Sequence, residues 1–144
     1  MLPDFKFHHI GIAVFDIDDT AQYYIDAGYQ KTETVIDTIQ NVKICFLTKE
    51  GMPMLELLAP VDENSPVNRT LDKMGVTPYH CCYSVDDMEG AIARLKKIKF
   101  VPLIKAVEAC AIGGRRVCFL FNKKVGLIEL VAVSYTHLRA HETR

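Results

Sequence analysis

Apolar and polar residues alternate in two corresponding stretches of the chain, and each stretch leads into an Asp-rich segment. The first stretch is His9-Ile-Gly-Ile-Ala-Val14, and the second is His80-Cys-Cys-Tyr-Ser-Val85. Alternation with a period of two predicts a strand with one apolar face. Because the same order of features occurs twice, the chain is predicted to contain two copies of one structural unit.

A helix is predicted to follow each of these strands. Asp16 and Asp86 stand where a side chain can cap a helix, with an acidic residue three positions on, as in a capping box. Apolar residues then recur at helical spacing. They are Ile17, Ala21, Tyr24 and Ile25 in the first copy, and Met88, Ala91, Ile92, Leu95 and Ile98 in the second.

Three short strand-like runs complete each copy. They span 31–37, 42–47 and 54–58 in the first copy, and 101–104, 116–120 and 127–131 in the second. Between the copies, Ser65-Pro66 is a typical helix opening, and Gly75 and Pro78 end that helix. The predicted fold class is α+β: one domain over 1–132, with βαβββ modules at about 5–60 and 79–132 and a helical linker at 61–78.

A histidine begins each of the two alternating strands. His9 shares a strand face with Gly11 and Ala13, and His80 occupies the corresponding position before Cys82 and Ser84. Small neighbours are expected to leave room for a ligand beside each imidazole.

A single carboxylate interrupts the last strand of each copy. Glu56 stands in Met54-Leu-Glu-Leu-Leu58, and Glu129 stands in Leu127-Ile-Glu-Leu-Val131. A lone charge in an apolar strand is costly unless it is paired or binds a metal. The two histidines and the two glutamates are each separated by roughly seventy residues, as expected if each copy contributes one of each.

These four residues are therefore predicted to bind one metal ion. Imidazole and carboxylate ligands suit Zn, Ni, Co, Mn or Fe(II), and four of them leave two positions of an octahedral ion open for substrate oxygens or water. Other interpretations stay open at this point. A strand histidine is often structural, a strand glutamate can pair with an arginine such as Arg116, and His8, with opposite parity to His9, is expected on the surface or against a helix.

Composition limits the class of partner. About half of the 144 residues are apolar, which is enough for one compact domain with a core. The formal net charge is −1 with both signs interspersed, so neither nucleic acid nor an anionic membrane is expected to bind. Pro3, Asp4 and Lys6 occupy the region where a signal peptide needs an apolar core, and no apolar run is long enough to span a bilayer. These features predict a cytoplasmic protein whose partner is a small molecule or another copy of the chain.

The cysteines are predicted to be buried thiols, because their number is odd and CxxC spacing is absent. They are Cys45, Cys81, Cys82, Cys110 and Cys118. The segment from Val133 to Thr143 matches a translated sequencing adapter, so 133–144 is expected to be a non-native tail, and His137 and His141 are set aside as ligands.

The motifs, taken in order, resemble methylmalonyl-CoA epimerases over nearly the whole native chain, and more distantly glyoxalase I (lactoylglutathione lyase). Both belong to the vicinal oxygen chelate superfamily. The matching segments are His9 to Val14, Glu56-Leu-Leu-Ala-Pro60 with Ser65-Pro66, His80 with Val85-Asp86-Asp87, Gly113-Gly114, and Gly126-Leu-Ile-Glu-Leu130. The resemblance places the metal ligands on His9, Glu56, His80 and Glu129. It also implies that two βαβββ modules curl into an open half-barrel of mixed sheet around one divalent ion, and that the protein is a homodimer.

The predicted activity is a metal-dependent isomerase reaction in which a proton moves α to a carbonyl through an enediolate. Glu129 is the first candidate for the base and Glu56 the second, and the substrate is expected to be an acyl-CoA or another thioester. Arg115, Arg116, Lys123 and Lys124 are candidates for binding its anionic part, with at least half of them expected to be ordinary surface residues.

Three other activities occur on the same fold. Glyoxalase I is disfavoured because the positions it commonly uses for glutathione are Ala13 and Pro60 in this chain. An Fe(II) dioxygenase needs only one carboxylate, and a drug-binding resistance protein needs no metal ligands. The epimerase pattern is also incomplete, since Phe121-Asn122-Lys123 replaces a common His-Pro-Lys and Lys43 stands where one epimerase carries a proposed catalytic Glu.

Overall fold

The computed structural model describes residues 1–103 and 113–133, together with the backbone of 107–109. The chain forms two compact units: a first unit, His8–His80, and a second unit made of Met1–Phe7 and Cys81–Arg144. Cys110 lies outside the described residues. So does the suspected tail, with His137 and His141, except for its first residue, Val133. No described helix has the length and apolar character that crossing a membrane requires.

The first unit holds a mixed sheet with α1 on one face. Its elements are β1 (Lys6–Ala13, from His8 on), α1 (Ile17–Asp26), β2 (Gln30–Lys31), β3 (Val35–Asp37), β4 (Val42–Thr48), β5 (Leu55–Pro60) and α2 (Val67–Met74). The strand order is β2-β4-β5-β1, and β3 also pairs with β4. β5 runs parallel to β1 and antiparallel to β4, which makes the sheet mixed.

The second unit repeats this plan. Its elements are the rest of β6 (Thr77–Val85), α3 (Met88–Lys97), β7 (Val101–Pro102), β8 (Val107–Ala109), β9 (Arg115–Asn122) and β10 (Gly126–Ala132). The order is β6-β10-β9-β7 with β8 beside β9, and β10 is parallel to β6 and antiparallel to β9. The predicted α+β class with two βαβββ modules is confirmed, once β2 with β3 and β7 with β8 are each taken as one interrupted strand.

Helix capping agrees with the sequence at one helix and differs by one residue at the other. Asp16 caps α1, accepting a hydrogen bond from the Asp19 backbone N–H at 2.9 Å. The prediction of Asp86 for α3 is wrong, because Asp87 is the capping residue. Asp87 has extended backbone angles and its Oδ1 accepts from the Gly90 N–H at 3.1 Å, so α3 begins at Met88.

The strand predicted over 31–37 is interrupted. Between β2 and β3 the hydroxyl of Thr32 accepts a hydrogen bond from the Phe46 N–H at 2.9 Å, where a regular ladder would use a backbone carbonyl. The Thr32 N–H still donates to the Phe46 carbonyl at 3.0 Å. A side chain thus competes with the ladder and divides the strand in two.

The apolar stripes of α1 and α3 pack on the sheet of their own unit. In the first unit Ile17 and Ala21 join a buried cluster with Leu57 and Cys45. In the second, Met88 and Leu95 join the corresponding cluster. Cys45, Cys82 and Cys118 are buried thiols, as predicted, whereas Cys81 is only half-buried.

Cys45 is expected to resist alkylation in the folded protein. Burial raises the pKa of its thiol to about 11, so about one thousandth of it is thiolate at pH 8. Peptide mapping after brief iodoacetamide treatment at pH 8 should find Cys45 unmodified, and modified once the protein is unfolded in guanidinium. Half-buried Cys81 provides the comparison within the same sample. Labelling of native Cys45 at the rate of a free thiol would contradict this burial.

Candidate metal centre

Three of the four predicted ligands lie in the first unit, and their donor atoms converge. His9 Nε2 is 3.1 Å from Glu56 Oε1 and 3.3 Å from His80 Nε2. The distance from His80 Nε2 to Glu56 Oε1 is 3.2 Å. All three residues are buried: His9 is 0% exposed, Glu56 3% and His80 5%. The structure therefore places two imidazole nitrogens and one carboxylate oxygen at the corners of a small buried triangle.

Strand register brings these side chains together. In the parallel pair of β1 and β5, Gly11 stands opposite Glu56, two residues along the strand from His9. Gly11 has no Cβ, and the imidazole of His80 occupies the space that a Cβ would fill, so a side chain at Gly11 would overlap the His80 ring. The small neighbour of His9 was expected to leave room for a ligand. At Gly11 the room is filled by the second histidine instead.

Gly11→Ala is therefore expected to displace His80 and weaken metal binding. Overpacking of this kind typically costs about 1–3 kcal/mol of stability, and the three atoms nearest to the added methyl group all belong to the His80 ring. Thermal unfolding and a metal titration on the same preparation measure both effects. Ile12→Val, on the next residue of β1, is the matched control. If Gly11→Ala binds metal with native affinity, the His80 ring does not need to lie against residue 11 to bind the metal.

Two aromatic rings border the triangle. Phe46, opposite Glu56 in the β4–β5 ladder, packs edge-on against His9 with ring centroids 5.5 Å apart. Tyr79 packs edge-on against His80, also at 5.5 Å. Burial raises the pKa of the Tyr79 hydroxyl above its usual value, so this neighbour stays neutral. These two ring contacts restrict the orientation of both imidazoles.

The spacing of the donor atoms fits a divalent cation. With metal–ligand distances of about 2.1 Å, two ligands at right angles lie about 3.0 Å apart and two at the tetrahedral angle about 3.4 Å apart. The three observed edges, 3.1, 3.2 and 3.3 Å, fall between these values. Protons alone explain the triangle less well, because a single Nε2 proton can lie along only one of its edges. His9, Glu56 and His80 are thus suited to hold a divalent ion.

His8 is the site residue that sequence reasoning missed. Its Nδ1 lies 2.8 Å from His9 Nδ1, and the two rings are edge-to-face with centroids 5.0 Å apart. Strand parity placed His8 away from His9, on the surface or against a helix. The two rings are nevertheless oriented so that their Nδ1 atoms meet. The local sequence does not predict this orientation.

Glu129 lies in the second unit, on β10. It is 2% exposed, and its strand neighbours in register are Cys82 on β6 and Phe119 on β9. Arg116, the suggested partner for a strand glutamate, forms its ion pair with Glu89 of α3. Whether Glu129 is a fourth ligand stays a prediction from the sequence repeat.

The other candidate residues separate into two groups. Arg115 donates a hydrogen bond to the Val133 carbonyl at 2.8 Å, so it and Arg116 are engaged within the second unit. Lys123 and Lys124 are exposed beside an apolar hollow lined by Phe121. Lys43 is exposed, and strand alternation puts it on the face of β4 opposite to that of Phe46, which neighbours Glu56. Lys43 occupies the position where the resemblance places a catalytic Glu. Its side chain therefore does not lie on the strand face of Phe46 and Glu56.

Comparison with known proteins identifies the family to which the chain belongs. Residues 8–119 match the model of the Glyoxalase/Bleomycin resistance protein/Dioxygenase superfamily. The chain is 33% identical over 129 residues to the mitochondrial methylmalonyl-CoA epimerase of Homo sapiens, covering 87% of this chain and 72% of the relative.

Solved structures show the same similarity. The crystal structure of methylmalonyl-CoA epimerase from Mycobacterium tuberculosis superimposes with a TM-score of 0.81 at 27% identity, covering 93% of this chain and 91% of that one. A variant of the Streptomyces coelicolor methylmalonyl-CoA epimerase, in complex with 2-nitronate-propionyl-CoA, gives a TM-score of 0.77 at 29% identity, covering 88% and 96%. The resemblance predicted from the motifs is confirmed. The chain belongs to the glyoxalase, bleomycin resistance protein and dioxygenase superfamily, and methylmalonyl-CoA epimerases are among its relatives.

Proposed function

We propose that this chain is a metal-dependent epimerase that moves the proton α to the thioester carbonyl of an acyl-CoA, with methylmalonyl-CoA as the first substrate to test. One observation carries the proposal. The two imidazoles and the carboxylate of His9, His80 and Glu56 converge within 3.3 Å in a buried site. The relatives named as methylmalonyl-CoA epimerases support the substrate class.

Glu129 is proposed as the fourth ligand. The support is the internal repeat: Glu56 and Glu129 stand at corresponding positions of the two copies, just as His9 and His80 do. Glu129 is also a carboxylate buried in an apolar strand, a position that is costly without a compensating charge. The ion is expected to be Zn, Ni, Co or Mn, since imidazole and carboxylate ligands suit all four.

A divalent ion bound at this site would act as a Lewis acid that stabilises negative charge on the substrate's carbonyl oxygen. The chain's own carboxylates then move the proton. Glu129 accepts the α-proton at a carboxylate oxygen, and the electrons of the broken C–H bond pass toward the carbonyl. Glu56 carries a proton at the start, on the oxygen that does not face His9 and His80, and donates it to the opposite face of the same carbon, which inverts its configuration. Each turnover leaves Glu129 protonated and Glu56 ionised, and proton exchange with solvent restores both. No electrons leave the substrate, so the reaction needs no oxidant or reductant.

The buried position of the site favours this chemistry. Phe46 and Tyr79 pack edge-on against His9 and His80. His9, Glu56 and His80 are each at most 5% exposed. In a site of low dielectric constant, fixed charges stabilise a developing oxyanion more strongly than they do in water. The homodimer stays an expectation from the resemblance.

Glyoxalase activity is the alternative that the same residues leave chemically open. The glutathione-binding positions of that family hold Ala13, which is fully buried, and Pro60. Neither can donate a charged hydrogen bond to a glutathione carboxylate. The structure therefore favours the thioester substrate.

A paired assay distinguishes the two activities. One epimer of methylmalonyl-CoA is incubated with the purified protein and the second epimer is quantified by chiral separation. The hemithioacetal of methylglyoxal and glutathione is tested in parallel for conversion to lactoylglutathione. The proposal expects the second epimer to accumulate and the hemithioacetal to remain. The reverse pattern, or no epimerisation in metal-supplemented protein, would overturn it.

A further inference from the structure

His8 contacts His9, a proposed metal ligand. The contact is made to His9 Nδ1, the ring nitrogen that faces away from the triangle of donor atoms. His9 directs Nε2 toward Glu56 and His80, while its Nδ1 lies 2.8 Å from His8 Nδ1. At that distance one of the two Nδ1 atoms donates a hydrogen bond and the other accepts it. The position of this proton determines which nitrogen of His9 carries a lone pair.

Only one of the two arrangements permits metal binding. If His8 donates, the Nδ1 of His9 is the acceptor, and a neutral His9 then carries its proton on Nε2, pointing into the triangle. If His9 donates from Nδ1, its Nε2 lone pair faces the donor atoms of Glu56 and His80 instead. Metal-bound histidines usually hold their second nitrogen in a hydrogen bond of this kind.

We propose that His8 is a positioning residue for the metal centre: it accepts a hydrogen bond from the Nδ1–H of His9 and so keeps the His9 Nε2 lone pair directed at the ion. The inference rests on the metal site of the proposed function. It goes further by giving a function to a residue that is no ligand and that the epimerase reaction does not use directly. His8 also fixes the plane of the His9 ring, since the edge-to-face contact at 5.0 Å adds to the hydrogen bond.

The inference distinguishes two kinds of substitution. Asparagine places its Oδ1 as many bonds from Cα as the Nδ1 of histidine, so His8→Asn keeps an acceptor in reach of His9. His8→Leu and His8→Phe remove the acceptor, and the phenylalanine variant keeps a ring of similar size. Loss of a hydrogen-bond partner of a metal ligand typically costs about 10–100-fold in metal affinity.

The test measures Co²⁺ affinity by competition with a chromophoric chelator and records the visible spectrum of the Co²⁺ complex. We expect the dissociation constant to rise about 10–100-fold in His8→Leu and His8→Phe, and to stay within about threefold of native in His8→Asn. Phe7→Leu, one residue earlier on β1, controls for general disturbance of the strand. If His8→Leu does not fold, His8→Phe answers the same question.

The results of these titrations either support or overturn the proposed role of His8. Recovery in His8→Asn with a native-like Co²⁺ spectrum supports positioning by an acceptor, because a packing role would not be restored by a small amide. Native affinity in both His8→Leu and His8→Phe overturns the inference while leaving the metal site intact. Absence of Co²⁺ binding by the native protein overturns both. Co²⁺ binding without epimerase activity leaves the inference standing and removes only the proposed reaction.

Discussion

Replacing His80 by alanine is expected to abolish metal binding and epimerase activity together. His80 Nε2 lies 3.2 Å from Glu56 Oε1 and 3.3 Å from His9 Nε2, so its loss removes one corner of the donor triangle. Removing a ligand should cost more than removing a ligand's hydrogen-bond partner, so a loss of at least about 100-fold in affinity is expected. Elemental analysis of the dialysed protein and the epimer assay measure the two effects.

The control for His80→Ala is Tyr79→Phe, which keeps the ring beside His80 and removes only a hydroxyl. It should retain metal and activity. Since the alanine variant also leaves a gap beside Gly11, both variants are assayed well below their melting temperatures. Stoichiometric metal in folded His80→Ala would show that this imidazole is not a ligand.

Glu129→Gln is expected to separate metal binding from proton transfer. The amide keeps an oxygen for a metal and the volume of the side chain, but it cannot accept the α-proton. Removal of a general base typically lowers the rate by about 10²–10⁴-fold, so exchange of the α-proton should nearly stop while metal content stays close to native. Exchange into deuterated solvent, followed by mass spectrometry, measures the rate.

Glu89→Gln is the control for the Glu129 variant, because it makes the same change on the surface of the second unit. A native exchange rate in Glu129→Gln would remove Glu129 as the base and transfer that role to Glu56. Loss of both metal and exchange would instead assign Glu129 mainly to metal binding.

The sequence singled out three polar residues that the structure brings together, but it did not predict the contacts that position them. His9, Glu56 and His80 stand out because each is a polar residue in an apolar strand, and such residues are rarely buried without a partner. The sequence contained no comparable indication that Gly11 leaves space for the imidazole of His80. Its contact with His80 joins residues far apart in sequence and depends on how the unit closes, which strand periodicity does not report.

Local structure shows the same limit at α3. Asp86 and Asp87 are consecutive, and either can cap a helix. The choice of Asp87 follows from the backbone, which is extended at that residue and helical from Met88. The interruption at Thr32 likewise depends on a hydrogen bond to Phe46 of a neighbouring strand. The local backbone conformation decided the boundary at α3, and a hydrogen bond between strands decided it at Thr32.

Exchange of the α-proton with solvent, measured with and without metal, tests whether this chain is a metal-dependent epimerase. Methylmalonyl-CoA is incubated in deuterated buffer with the native protein, with chelator-treated protein, and with treated protein to which one equivalent of Co²⁺ is restored. We expect uptake of one deuteron at the α-carbon with the native protein, no uptake after chelation, and recovery of the uptake with Co²⁺. Undiminished exchange by protein shown to be metal-free would contradict the claim that His9, Glu56 and His80 serve a metal-dependent epimerase.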